Sequence, residues 1–186
     1  MAKQFPGLSD AHRRFIAEQP IFFVATAAAD TRINLSPKGQ DSLRVLGPNA
    51  VIWLNLTGSG NETAAHLAED PRMTLMWCSF TTRPMILRAY GTARITHRGA
   101  PGWDALYARF PDTPGARQVC EMAVDLVQTS CGYAVPLMDL RQPRDTLARW
   151  TEDQGAEGIA RYWAERNATS LDGRPTGIEA ALDPTS

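Results

Sequence analysis

Short apolar and alternating runs divide the first hundred residues, and each predicts an element. Ser9 to Gln19 reads as a helix, with Ser9 or Asp10 as its cap and Pro20 as its stop. Ile21 to Ala27 is rich in aromatic and β-branched residues and predicts a strand. After the turn Ala29-Asp30-Thr31, Arg32 to Ser36 alternates polar with apolar, as a half-buried hairpin partner does, and Pro37 is expected to end its ladder. Leu43 to Leu46 and Ala50 to Leu56 read as two strands joined by Gly47-Pro48-Asn49. A helix from Asn61 to Glu69 stops at Asp70-Pro71. Arg72 to Phe80 and Met85 to Thr96 then read as longer strands, and Gly91 inside the second predicts a bulge or sharp bend.

The pattern changes after residue 100. Trp103, Leu106, Tyr107 and Phe110 follow helical spacing until Pro111 to Gly115 breaks it, and a second short helix is expected over Ala116 to Met122. One more strand is expected from Val124 to Val135. Two helices follow, Asp145 to Asp153 and Ala156 to Asn167, and beyond Ser170 the composition predicts loose structure. Strand and helix do not alternate regularly, which disfavours a doubly wound parallel sheet. The order of elements predicts a mainly β fold with peripheral helices, a small antiparallel barrel. It occupies residues 1–140, with a helical insertion at about 101–122, and a helical extension and loose tail occupy 141–186.

Composition narrows the function classes. With 186 residues, 44% of them apolar, the chain can build a full core. A net charge of −1 argues against general binding to nucleic acid or to an anionic membrane. The longest apolar run, Ile21 to Ala29, is too short to span a bilayer, and the N-terminal residues lack the apolar core of a secretory signal, so a cytoplasmic protein is expected. Cys78, Cys120 and Cys131 form no CxxC pair, and His12, His66 and His97 are widely spaced. Neither a disulfide framework nor a metal centre is expected.

The stretch that concentrates chemistry is Asn55 to Leu67, NLTGSGNETAAHL, in which an apolar strand feeds Gly58-Ser59-Gly60 and then a helix start. Glycines let a ligand approach the backbone, and the first amides of a helix lack internal partners, so such a turn can hold an anion. A tight turn into an amphipathic helix explains the same residues without a ligand.

Three blocks in order carry a resemblance: Asn34 to Gly39 (NLSPKG), Trp53 to Thr63 with the helix ending at Asp70-Pro71-Arg72, and Leu87 to Arg94 (LRAYGTAR). Together they resemble the FMN-binding split barrel of the pyridoxamine 5'-phosphate oxidase-like family, over about residues 15–135. The resemblance implies a six-stranded antiparallel split barrel, a homodimer, and FMN held at the dimer interface. It implies that Ser36 and Lys38 meet the FMN phosphate or ribityl chain. Asn55, Asn61, Thr63 and the backbone around Gly60 would surround the phosphate and flavin edge. Ser130 or Cys131, on the last strand, would contact the flavin ring, although a buried free cysteine in the barrel wall is the plainer account of Cys131. Trp150 either covers the flavin or anchors a terminal helix.

Two departures matter. Authentic oxidases of this family carry basic residues at the helix start, where this chain has Asn61-Glu62-Thr63. Either Glu62 points away, or the phosphate is held by Lys38 with arginines from elsewhere, for which Arg32, Arg44 and Arg88 are the candidates. The C-terminal substrate signature of the authentic oxidases also has no counterpart, which argues against vitamin B6 oxidation. The expected function is an FMN-dependent oxidoreductase acting on a small molecule or a nicotinamide donor. The alternative is a non-catalytic flavin, deazaflavin or haem binding protein on the same scaffold.

Overall fold

The computed structural model describes residues 2–182. In chain order its elements are β1 (Lys3–Phe5), α1 (Asp10–Ala17), β2 (Phe22–Thr26), β3 (Asn34–Lys38), β4 (Leu43–Gly47), β5 (Ala50–Leu56), α2 (Glu62–Glu69), β6 (Arg72–Cys78), β7 (Ile86–His97), α3 (Trp103–Tyr107), β8 (Ala116–Ser130), α4 (Thr146–Arg166) and a 3₁₀ turn, Ile178–Ala181. The strands form one antiparallel sheet in the order β3-β2-β6-β7-β8-β5-β4, with β1 added to β8. A mainly β fold with peripheral helices is what the pattern predicts, but the sheet has eight strands rather than six.

The longest strand organises the sheet. β8 pairs with β7 from Gln118 to Ser130, with β5 over Ala116 to Ala123, and with β1 over Val127 to Thr129. Ala116 to Met122, expected as a helix, is therefore the first half of this strand. Ala116 to Cys120 is buried without interruption, and a strand buried on both faces carries no period-2 signal. The strand also ends at Ser130, so residues 131–135 are not part of it.

The bend expected at Gly91 is present, as a register shift between Tyr90 and Gly91 against β8. A Cβ on Gly91 would lie 1.9 Å from the Ala123 carbonyl oxygen, so only glycine lets the two backbones come this close. Pro37 does not end its ladder: it sits inside β3 opposite Phe23. β3 is the edge strand of the sheet, where a residue without an N–H is tolerated.

The main core packs Phe15 and Ile16 of α1 against Phe22, Trp53, Leu75 and Trp77. β5 buries both faces, because its alternate residues Ile52 and Leu54 join Trp103, Phe110 and Val119 in a second cluster. The C-terminal region forms a third cluster around Ile159, Trp163 and Ile178. α4 is broken at Gly155 (φ 62°), between the two expected helices. Residues 171–182, expected as loose, are fixed structure, and the rest of the expected loose tail, 183–186, lies outside the described residues. Thr169 bridges to Pro175, and the Ile178 side chain is fully buried.

Candidate functional site

β3, the β5–α2 turn and the start of β8 enclose a cleft of about 520 Å³. Six of the eight expected site residues line it: Ser36, Lys38, Asn55, Gly60, Asn61 and Thr63. The strand period explains part of this convergence, since Asn34, Ser36 and Lys38 share one half-buried face of β3 while Leu35 points outward. Asn34 ties the wall together. Its Nδ2 donates to Thr63 Oγ1 (3.1 Å) and Thr26 Oγ1 (3.3 Å), and its Oδ1 accepts from the Ser36 hydroxyl (2.7 Å).

Lys38 reaches inward over the Trp53 ring (5.2 Å to the centroid) and donates to Asn55 Oδ1 at 3.3 Å. Asn55 passes this contact on through Nδ2 to Gln118 Oε1 (2.8 Å), and Gln118 Nε2 lies 3.4 Å from His97 Nδ1. Burial, with the nearby charge of Arg117 adding to it, pushes the Lys38 ammonium down to about 8.

Arg117 supplies the charge that the sequence alone did not place. Its side chain is 2% exposed, lines the cleft, and donates to Asn167 Oδ1 (2.6 Å) and the Gly60 carbonyl (2.8 Å). Its Nε is buried without an acceptor, and burial pushes its pKa down to about 10. Among the described residues no carboxylate lies within 4.0 Å of Lys38 Nζ or of the Arg117 guanidinium. Buried cations are normally paired; buried Arg117 and half-buried Lys38 instead share the cleft with Glu62, whose charge acts on Arg117 from beyond that distance.

The three arginines considered from the sequence are occupied elsewhere. Arg32 pairs with Asp172, Arg44 with Asp41 and the Arg109 carbonyl, and Arg88 donates to the Ser130 hydroxyl. Glu62 does not turn away: it lines the cleft, its Oε1 lies 2.8 Å from where a Cβ on Gly60 would stand, its charge opposes the effect of burial on Arg117, and its Oε2 accepts the Leu171 N–H at 2.9 Å. Asn61 caps α2 without a side-chain cap bond; its Nδ2 reaches the Asn167 carbonyl at 3.4 Å, and its Oδ1 is buried with no donor. The Glu62 and Thr63 amides, at the start of α2, have no acceptor among the described residues.

Ser130 and Cys131 are not brought to this cleft within one chain. Ser130 lies thirteen residues along β8 from Arg117, roughly 40 Å at strand rise. Cys131 is exposed rather than buried in a wall. Trp150 packs edge-on to Tyr162 (5.1 Å) in the C-terminal cluster. His66 is buried, bonded to Thr26 through Nδ1, and does not line the cleft. Arg117 and Asn167 went unrecognised from the sequence, the first because its strand was read as a helix, the second because a lone asparagine after a helix carries no signal of its own.

The pyridoxamine 5'-phosphate oxidase family model matches residues 8–131. A pyridoxamine 5'-phosphate oxidase family protein of Aspergillus flavus, ustO, is 35% identical over 198 residues, covering 96% of this chain and 78% of its own. Two solved structures share the fold. One is a candidate pyridoxamine 5'-phosphate oxidase from Lactobacillus delbrueckii (TM-score 0.54, 20% identity, 66% of this chain and 94% of that one). The other is HupZ from Group A Streptococcus (TM-score 0.53, 21% identity, 66% of this chain and 99% of that one). Identity at that level speaks to fold alone, and with the antiparallel sheet it makes the architecture a split barrel. The family match over two-thirds of the chain and the fungal relative over nearly all of it lead to one statement: this chain belongs to the pyridoxamine 5'-phosphate oxidase family.

Proposed function

We propose that this protein is an FMN-dependent oxidoreductase that works as a homodimer on a small organic substrate or a nicotinamide donor. The observation that carries the reading is the pair of cations in one cleft, Lys38 and Arg117, with no carboxylate within 4.0 Å of either among the described residues. A phosphate monoester would give both a counterion, and the free Glu62 and Thr63 amides at the start of α2 add neutral donors. The buried Asn61 Oδ1 lacks a donor, which a ribityl hydroxyl would supply. The residues present thus fit a ligand that joins a phosphate to a polyol. Bound FMN would supply the two-electron chemistry; the chain's own part is to hold the phosphate, orient the ring and exclude water. Among the described residues of one chain, no histidine, cysteine, methionine or tyrosine lines this cleft as an axial ligand for haem. Vitamin B6 oxidation is not part of the reading.

The test is direct. Purified protein incubated with FMN and freed of excess ligand should keep the two visible bands of an oxidised flavin. Anaerobic mixing with NADH or NADPH should then bleach them. A protein that retains no flavin ends the proposal. Retained flavin that no donor reduces would make the protein a flavin carrier instead.

A further inference from the structure

Residues far from the barrel in sequence hold the lining of the cleft from behind, without lining it themselves. Asn167, fully buried at the end of α4, makes four contacts there. Its Oδ1 accepts from Arg117 (2.6 Å) and its Nδ2 donates to the Gly58 carbonyl (3.0 Å). Its own carbonyl accepts from Thr176 Oγ1 (2.6 Å) and from Asn61 Nδ2 (3.4 Å). On either side, Trp163 Nε1 donates to Thr57 Oγ1 (2.9 Å), and the Leu171 amide donates to Glu62 Oε2, whose carboxylate lies against Gly60 of the turn. The 57–62 turn and the guanidinium are thus held from the C-terminal segment, which is itself folded back by the Thr169–Pro175 bridge.

The chemistry of Asn167 is selective. A carboxylate here would neutralise Arg117. A neutral amide oxygen satisfies one N–H and fixes the guanidinium without an ion pair at hydrogen-bond distance, leaving only the more distant Glu62 to offset its charge. We propose that the segment from Asn167 to Ile178 backs the anion subsite, holding its lining in place, and that Asn167 is the positioning residue for Arg117. Binding of a phosphate-bearing ligand and docking of this segment then stabilise each other. This rests on the anion reading of the cleft but not on the ligand being a flavin.

Asn167→Asp supplies a counterion at hydrogen-bond distance from Arg117 and loses the Nδ2 bond to the Gly58 carbonyl. It should lower affinity for FMN and for inorganic pyrophosphate about tenfold or more, and leave riboflavin, which lacks the phosphate, unchanged. In the wild-type protein, saturating FMN or pyrophosphate should slow hydrogen exchange at the Leu171 and Thr176 amides, and riboflavin should not. The exchange arm needs no variant and decides the matter if Asn167→Asp folds poorly. Wild-type anion affinity in a folded Asn167→Asp, or tail exchange indifferent to anion, overturns the proposal while leaving flavin binding standing. Pyrophosphate binding that is lost in Asn167→Asp, with no flavin bound by either protein, supports it and removes the flavin reading. A wild-type protein that binds neither flavin nor pyrophosphate removes both.

Discussion

The two ends of β8 are built on opposite plans. At the Arg117 end the strand is buried on both faces, and its polar side chains are tied to partners 50 and 57 residues away, Asn167 and Gly60. At the Ser130 end the residues are half-buried, the chain leaves the sheet at an exposed Cys131, and Tyr133, Leu137, Met138 and Leu140 stand in solvent. The first end is a finished pocket inside one chain. The second offers small polar groups and apolar side chains to something outside it, which in the homodimer reading is the second copy. One strand can serve both roles because it bends midway, at the register shift beside Gly91.

The largest effect should come from removing that bend. In Gly91→Ala the new methyl would meet the Ala123 carbonyl, and backbone cannot retreat as a flexible side chain can. The expected cost is about 3 kcal/mol or more, roughly a 10 °C fall in Tm by thermal unfolding. Both ends of β8 should suffer together. An unchanged Tm would mean that the bend is not what holds the two halves in place.

The contrast also explains what could be read in advance. β5 and β7 were legible because an apolar run and a clean alternation mark them locally, and the cleft residues from Asn34 to Thr63 were legible because they lie in consecutive blocks. The other wall was not. Ala116 to Cys120 is buried on both faces and so loses the alternation that names a strand. Asn167 is the last residue of an expected helix, and Thr176 sits among Gly, Pro, Asp and Thr residues, a composition that reads as loose chain, yet the bond between them and the buried Ile178 make it fixed structure. Arg117 illustrates the general difficulty: a buried cation becomes a site only through what surrounds it, and its surroundings come from four separate parts of the chain.

The next largest effect separates the ends. Arg117→Gln removes the buried cation and should weaken FMN about 10- to 100-fold, the range for a charge-assisted contact, while riboflavin affinity changes little. Equal losses for the two ligands in equilibrium titrations would show a collapsed cleft rather than a missing charge.

A smaller effect follows from Lys38, which burial and the Arg117 charge hold down at about 8. Below that pH the ammonium is charged and available to a phosphate; above it the charge is lost. FMN affinity should therefore fall as pH rises from 7 toward 9.5, approaching tenfold per pH unit where only the charged form binds, and Lys38→Ala should flatten the profile. In the empty protein the sign reverses. Because the folded state releases this proton more readily than the unfolded chain, the Lys38 contribution to stability rises between about pH 8 and the ordinary lysine range. A flat affinity profile in the wild-type protein would place Lys38 outside the phosphate contacts.

The smallest effect tests the other end. Cys131 is exposed and lies outside the strand, so Cys131→Trp should change stability by no more than about 0.5 kcal/mol. Within one chain it is roughly 40 Å along the strand from Arg117, and a free phosphate or pyrophosphate should bind as before. If a second copy brings this end against the ligand, the added indole meets the ring and not the phosphate. FMN and riboflavin should then both lose a few-fold in affinity, with a shift in the visible bands, at protein concentrations where the dimer forms. Flavin spectra and affinities identical to wild type in a protein shown by sedimentation to be dimeric would leave the Ser130 end outside the site, and the cleft would have to work with the walls one chain provides.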